Sequence, residues 1–379
     1  MQFKDVIGQE ALTLHLGEIV QHNRLSHALL FLGKEGSGAL AAALAFAQYV
    51  VCDNKNGDSC GVCSACSKAA KYIHPDIHYS YPVISKKSGD KPVSSDFIQE
   101  WREFVKLSSY GNAYDWLQFI GAENKQGNIT AHECNDIIRK LSLKSFESEF
   151  KILLMWLPEY LGNEGNKLLK LIEEPPPNTL FILVAENESL ILQTILSRCQ
   201  LVKVPLPGVK DIEKALISRA GLSSVQARQL AGICEGNYRE ALQLMQHAGE
   251  DWQETLREWL NAILKTGPVS QVKWIEEVSK SGREKQKQFL RYFTHLLEQS
   301  IRLRIMGTET NAISIADNEM DFALRLNKMT DIPQQQAIIE ELDKATYYVE
   351  RNANPKMLFH ALTIKLYHII KDKVVISSW

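Results

Sequence analysis

An α/β domain built on a parallel sheet, followed by all-helical domains, is the fold class that the 379-residue sequence predicts. Two observations carry that expectation. Up to Pro205, short apolar runs alternate with helix-like segments, the pattern of strands and crossover helices when helices cover both faces of a sheet. Beyond Pro205 and Pro207 only helical periodicity remains.

Taken in order, Ala28–Leu32 is an apolar run ending at Gly33 and reads as a buried strand. Residues 39–51 (ALAAALAFAQYVV) follow as a helix. From Ile77 to Ile84 the chain alternates, with Ile77, Tyr79, Tyr81 and Val83 on one face. Ile129–Leu143 has helical spacing, and Lys151–Leu157 is a second continuous apolar strand. Asn163–Glu173 is expected as a helix, stopped by Pro175-Pro176-Pro177. Leu180–Ala185 and Leu201–Val204 are the remaining strands. These elements define an α/β domain over 1–206, a small helical unit over 207–250 and a helical domain over 251–379. The last has amphipathic stretches at 252–265, 284–306, 332–351 and 355–371. No internal repeat is visible. Residues 79–128 carry polar, turn-rich pieces (SKKSGDKP, ENKQGN) around an aromatic segment, Phe97–Trp116, and read as an insertion.

Composition is that of an ordinary globular protein, and the formal net charge of -2 gives no chain-wide pull toward nucleic acid, so any such contact must come from a local patch. MQFKDVIGQEALTLHL is charged and lacks the apolar core of a secretory signal, and the apolar runs are too short to span a bilayer. A cytoplasmic protein without a membrane partner is expected. In that compartment seven cysteines do not form a disulfide framework.

The strand at 28–32 runs into Gly33-Lys34-Glu35-Gly36-Ser37-Gly38-Ala39-Leu40 and then a helix, the context of a phosphate-binding glycine loop. Such a loop needs a Lys after its last glycine for the β/γ phosphates and a Ser or Thr for Mg²⁺; here those positions hold Ala39 and Leu40. An ordinary glycine-rich turn is the competing reading. Nucleotide chemistry also asks for an acidic residue at a neighbouring strand end, and KILLMWLPEY offers only Glu159, after Trp156, Leu157 and Pro158. Two parts are missing together, so the degenerate loop Gly33, Gly36, Gly38, Ala39, Leu40 is expected to hold no ATP of its own. Ala185-Glu186-Asn187, after the next strand, offers no hydroxyl either.

Cys52, Cys60, Cys63 and Cys66 are spaced C-x7-C-x2-C-x2-C. Four close thiolates suit tetrahedral Zn²⁺ with no position left for substrate, a structural site. An iron–sulfur cluster would want a further Cys at position 70, which is Ala; four unligated thiols are the plain alternative. Cys134, Cys199 and Cys234 are isolated and expected to be small buried residues.

NRLSHALLFLGKEGSG (23–38), GNKLLKLIEEPPPNTLFILV (165–184) and TILSRCQLVKVPLP (194–207) closely resemble the clamp-loader ATPases of bacterial DNA polymerase III, their delta-prime and gamma/tau subunits. The resemblance covers residues 1–250; beyond that only helical pattern and length agree. It implies a P-loop NTPase (AAA+) domain, a small helical lid and an all-α C-terminal collar. The missing lysine and acidic strand end point to the delta-prime type. The implied partners are gamma/tau and delta subunits in a hetero-pentameric ring, the sliding clamp, and primer–template DNA reached through the assembled complex. The resemblance also covers the four cysteines. Ser197-Arg198-Cys199 matches a family motif whose Arg reaches the γ-phosphate of ATP in the neighbouring subunit, so Arg198 is the expected catalytic residue, acting in trans; three letters alone would fit a surface Arg better. Arg239, in GNYREAL, matches the family's nucleotide-sensing lid arginine, with a structural ion pair as the alternative; Glu173-Glu174-Pro175 matches a structural turn. The insertion 79–128 is longer than the family's usual connection. Lys280, Arg283, Lys285, Lys287, Arg291, Arg302 and Arg304 form a basic stretch over 280–304 that reads as a solvated helix face, with DNA or a partner subunit as the other options. Two rival functions remain: a gamma/tau-like motor ATPase with an atypical P-loop, and a zinc-containing DNA-binding adaptor.

Overall fold

The structure, a computed structural model, describes residues 1–85, 89–122, 125–246, 252–306, 317–351 and 353–373. Parts of the insertion (86–88 and 123–124), the end of the segment 207–250 and stretches of 251–379 therefore lie outside the described residues.

Helix α1 (Glu10–Gln21) precedes β1 (Ala28–Leu32), and α2 (Ala39–Val51) and α3 (Ser64–Ala70) lead to β2 (Ile77–Ser80). Helices α4 (Ile98–Leu107), α5 (Ala113–Phe119) and α6 (Ala131–Ser142) precede β3 (Lys151–Trp156). Then come α7 (Leu169–Glu173), β4 (Thr179–Ala185), α8 (Gln193–Leu196) and β5 (Gln200–Lys203). The five strands form one sheet in the order β2-β3-β4-β1-β5, every pair parallel. This is the α/β sheet that the alternating pattern predicts. Strands β3 and β4 are buried from end to end, as continuous apolar runs covered on both faces must be. One face packs against α6 and the 158–173 segment through Leu30, Leu153, Leu183, Ile137 and Leu168. On the other lies α2, whose alanines at 39, 41, 42, 43, 45 and 47 are all buried.

Three expectations need correction. Alternation through Ile84 continues past the strand, which ends at Ser80; Val83 makes only an isolated bridge to Asn128. β3 stops at Trp156 because Leu157 turns into the left-handed region at φ 59°. Residues 158–168 form a 3₁₀ stretch kinked at Gly162, so only Leu169–Glu173 of the expected helix is α. Two glycines in eleven residues and a proline at the start lower α-helical preference there.

Helices α9 (Val209–Ala220), α10 (Ser224–Ile233) and α11 (Tyr238–Gln246) follow the sheet. Then come α12 (Trp252–Asn261), α13 (Pro268–Val278), α14 (Arg283–Met306), α15 (Asp317–Met329), α16 (Ile332–Glu350) and α17 (Pro355–Lys371). A π-helical turn, Ala262–Thr266, interrupts the stretch expected as one helix over 252–265, and α15 was not singled out by periodicity. The chain divides into two compact units, Met1–Leu222 with Cys234–Leu242, and Ser223–Ile233 with Gln243–Trp379. Segment 207–250 contributes to both. The second unit has its own core, in which Trp259 and Trp274 stack at 4.6 Å and Trp259 donates to Thr363 Oγ1 at 3.0 Å. Among the described residues, no helix is long and apolar enough to cross a membrane.

Candidate functional site

Strand β1 lies between β4 and β5 and delivers the glycine loop to the carboxyl edge of the sheet, where open α/β sheets bind ligands. Gly36 and Gly38 take positive φ, 75° and 84°, and Gly38 caps α2. The cradle shape is thus present. Gln9, itself buried, holds it from behind: its amide donates to Ser37 O at 3.3 Å and to Pro205 O at 2.6 Å.

What lines the cradle differs from a nucleotide site. Ala39 and Leu40 are buried and offer neither cation nor hydroxyl. The remaining cavity is about 20 Å³, lined by the loop together with Tyr110, Gly111, Trp156 and Glu186. That volume suits about one water and is far below a triphosphate. Tyr110 fills the mouth. Any Cβ at Gly38 would sit 2.6 Å from its ring, and its Oη accepts the Ile7 N–H at 2.9 Å. A Cβ at Gly36 would collide with Asn237 at 1.9 Å. These glycines therefore make room for protein.

Tyr110 belongs to the segment expected as an insertion. That segment is anchored by rings: Trp101 stacks on Tyr81 at 4.1 Å and meets Trp116 edge-on at 5.6 Å and Trp156 at 5.3 Å. Trp116 Nε1 donates to Pro82 O at 2.7 Å. The buried Glu133 carboxylate accepts the Ser94 N–H at 2.7 Å, and burial pushes its pKa up. Asn112 caps α5 and donates to Glu35 Oε2 at 3.0 Å.

Arg239 closes the arrangement. Only 4% of its side chain is exposed. Its Nη1 donates to Glu35 Oε1 at 2.7 Å and its Nη2 to Asp115 Oδ1 at 2.6 Å, while Nε also donates to Asp115 Oδ2. Of the two readings of Arg239, the ion pair is the one seen. Removing one partner of such a buried pair costs about 3–5 kcal/mol.

Glu159, the acidic residue nearest the end of β3, does not line the cavity. Its Oε1 accepts N–H groups from Glu186 at 2.6 Å and Asn187 at 2.9 Å, so it staples the turn after β4. Burial raises its pKa despite those donors.

Arg198 lies elsewhere, after α8, and is not among the cavity-lining residues. It is partly exposed and tied to Glu173 at the end of α7, with Nε to Oε1 at 2.7 Å, and Nη1 donates to Thr194 O at 2.6 Å. Glu173, the first residue of the Glu173-Glu174-Pro175 turn, thus holds the guanidinium.

The four sequence-predicted cysteines meet between α2 and α3. Their thiol sulfurs all lie within 4.8 Å of one another, and Cys60 and Cys66 are 3.9 Å apart. Four sulfurs about 2.3 Å from a tetrahedral Zn²⁺ would be roughly 3.8 Å apart. Backbone N–H groups of Cys60, Cys63 and Cys66 point at the sulfurs of Cys52, Cys60 and Cys63. Those of Val62 and Cys63 bring the Cys60 thiol down to about 6, whereas burial pushes Cys52 and Cys66 up. The donor set fits a metal ion. Cys134 and Cys234 are buried and Cys199 half-buried, each with its thiol pushed up by burial.

The basic stretch is not one solvated face: Lys287 is buried and Arg304 donates to Asn327 O. Sequence reasoning missed Gln9, Tyr110, Asp115 and Glu35. Their partners are distant in the chain, and no local pattern marks them, although Asn112 and Asp115 form a capping box that signals a helix start.

A family model described as "DNA polymerase III, delta subunit" matches residues 8–207. The chain is 29% identical over 226 residues to "DNA polymerase III subunit delta'" of Bacillus subtilis, covering 59% of this chain and 55% of that protein. It is 28% identical over 295 residues to subunit tau of the same organism, covering 75% and 44%. The match to subunit delta' of Escherichia coli is 22% identical over 369 residues and covers 94% and 93%. The chain thus spans about half the length of the Bacillus relatives. A solved gamma subunit-related protein of Thermotoga maritima aligns over 93% of this chain and 98% of that one, at 14% identity and a TM-score of 0.36.

Proposed function

We propose that this chain, which belongs to the DNA polymerase III delta-subunit family, is a delta-prime-type clamp-loader subunit that does not hydrolyse ATP. The observation that carries the reading is the cradle itself: a phosphate-loop backbone whose cation and hydroxyl positions are Ala39 and Leu40 and whose mouth is filled by Tyr110. The end of β3 presents Trp156 rather than a carboxylate, and Glu159 is engaged by the turn after β4. In this reading the chain works in the cytoplasm, joins gamma/tau and delta subunits in a five-membered ring, and supports ATP-dependent loading of the sliding clamp onto primer–template DNA. Its contribution to chemistry is Arg198, offered to ATP in the neighbouring subunit. A planar guanidinium suits the developing charge on a transferring phosphoryl group. The Glu173 contact keeps it ordered until a phosphate competes for it.

The cysteines hold Zn²⁺ in the same proposal. All four ligands are protein thiolates, so the ion supplies structure and no open coordination position.

The test is clamp-stimulated ATPase of the assembled loader with and without Arg198→Ala. Turnover at the adjoining site should fall by on the order of 10³-fold or more while assembly is intact. Unchanged turnover removes the trans role. Mg²⁺-dependent ATP binding by the isolated chain would favour a motor subunit instead.

A further inference from the structure

We propose that residues 108–115 are a resident substitute for nucleotide: Tyr110 occupies the cradle mouth, and Asp115 with Glu35 presents to Arg239 the negative charge that a ligand's phosphates would otherwise bring. The inference rests on the reading of the cradle as nucleotide-free and gives that reading a cause beyond the missing lysine.

The observations converge from three elements. The arm between α4 and α5 crosses the glycine loop, and its Tyr110 ring lies where the Gly38 side chain would be. Tyr110 also packs edge-on against Tyr238 at 4.9 Å, next to Arg239, and is pinned by Ile7 N–H. Arg239 is buried and receives both Asp115 oxygens in a fork, plus Glu35 from the glycine loop. A fork of this kind matches carboxylate and phosphate oxygens equally well. Asn112 joins arm to loop through the other Glu35 oxygen. Asn237 fills the space over Gly36, and Tyr238 N–H donates to Gly36 O at 3.4 Å. The 236–239 segment is therefore fastened to the glycine loop by groups the chain carries itself. No ligand is needed to bring them together.

The double variant Glu35→Gln/Asp115→Asn leaves the Arg239 cation facing neutral amides. In the full chain its Tm should fall by about 5 °C or more, as expected when a buried cation loses two carboxylate partners in a domain of this size. Millimolar inorganic pyrophosphate should then raise the Tm of the double variant while leaving the wild-type chain unchanged. Adding Arg239→Gln should recover stability and abolish the pyrophosphate response. A wild-type chain stabilised by MgATP overturns both the substitute and the nucleotide-free reading. A folded double variant indifferent to pyrophosphate overturns the substitute alone. If the double variant does not fold, a folded triple variant supports the inference, because only the cation separates them. Failure of both shows that the two acids hold the fold by something other than Arg239, and overturns it.

Discussion

Replacing Trp101 by alanine should release the arm over the glycine loop before it unfolds the sheet. The indole is fully buried and touches five other rings, those of Tyr79, Tyr81, Phe104, Trp116 and Trp156. Truncating a buried tryptophan costs about 3–5 kcal/mol. The close parallel stack on Tyr81 argues for the upper part of that range, since such a pair adds about 0.5–1.5 kcal/mol beyond area. One term opposes it: Trp101 Nε1 is buried with no hydrogen-bond partner among the described residues, and its removal relieves a donor that costs about 1–3 kcal/mol. Trp101→Ala is therefore expected near 3 kcal/mol, and Trp101→Phe, which keeps a ring and drops the orphan N–H, under about 1.5 kcal/mol. Trp116→Phe should cost more than Trp101→Phe, because Trp116 loses its bond to Pro82 O. Hydrogen exchange read by peptide, together with urea unfolding, separates local release from global loss. Protection should collapse first over 98–119 and persist in β3 and β4. A cost below 1 kcal/mol for Trp101→Ala, or uniform loss of protection, refutes the anchoring role.

The purified chain should carry about one zinc per molecule by elemental analysis, and Cys66→Ser should lose it together with thermal stability of the first unit; metal-free protein of full stability would contradict the site. Gly38→Ala should cost about 2 kcal/mol or more in urea unfolding, from left-handed backbone strain and the Tyr110 clash, whereas Gly57→Ala, with positive φ but open space, should cost only the strain. Glu159→Gln should stabilise the chain at neutral pH. The folded carboxyl titrates above its ordinary 4.5, so charging it costs stability as pH rises, and the variant's advantage should vanish below about 4.5 in pH-dependent unfolding. Equal stability of wild type and variant at pH 8 would show that the buried charge is not strained.

The sheet was legible because β1, β3 and β4 are apolar runs long enough to be strands and too short to be helices. The cysteine site was legible because three ligands lie within seven residues, so spacing alone brings them close. The 158–168 segment was misread because Leu161, Leu168 and Ile172 have the seven- and four-residue spacing of an α-helical face, while the non-helical Gly162 breaks the helix between Leu161 and the other two. The arm was visible as an insertion, but its role was not. Tyr110 meets Ile7 across 103 residues and Asp115 meets Arg239 across 124, and nothing local encodes either meeting. Arg239 itself showed this limit: the residue matched a nucleotide sensor, and only its neighbours reveal carboxylates in the sensed position.

The start of helix α2 limits what one substitution can do for this cradle. Its first residue, Ala39, lies buried among other alanines beneath Tyr110, beside a space of about 20 Å³. A lysine placed at position 39 would have to fit its side chain into that small space, bordered by Tyr110 and Trp156. Crowding against Tyr110 would make that substitution destabilising. A working phosphate site here would therefore need changes in the arm, at Leu40 and at the end of β3 together, and no single substitution supplies it.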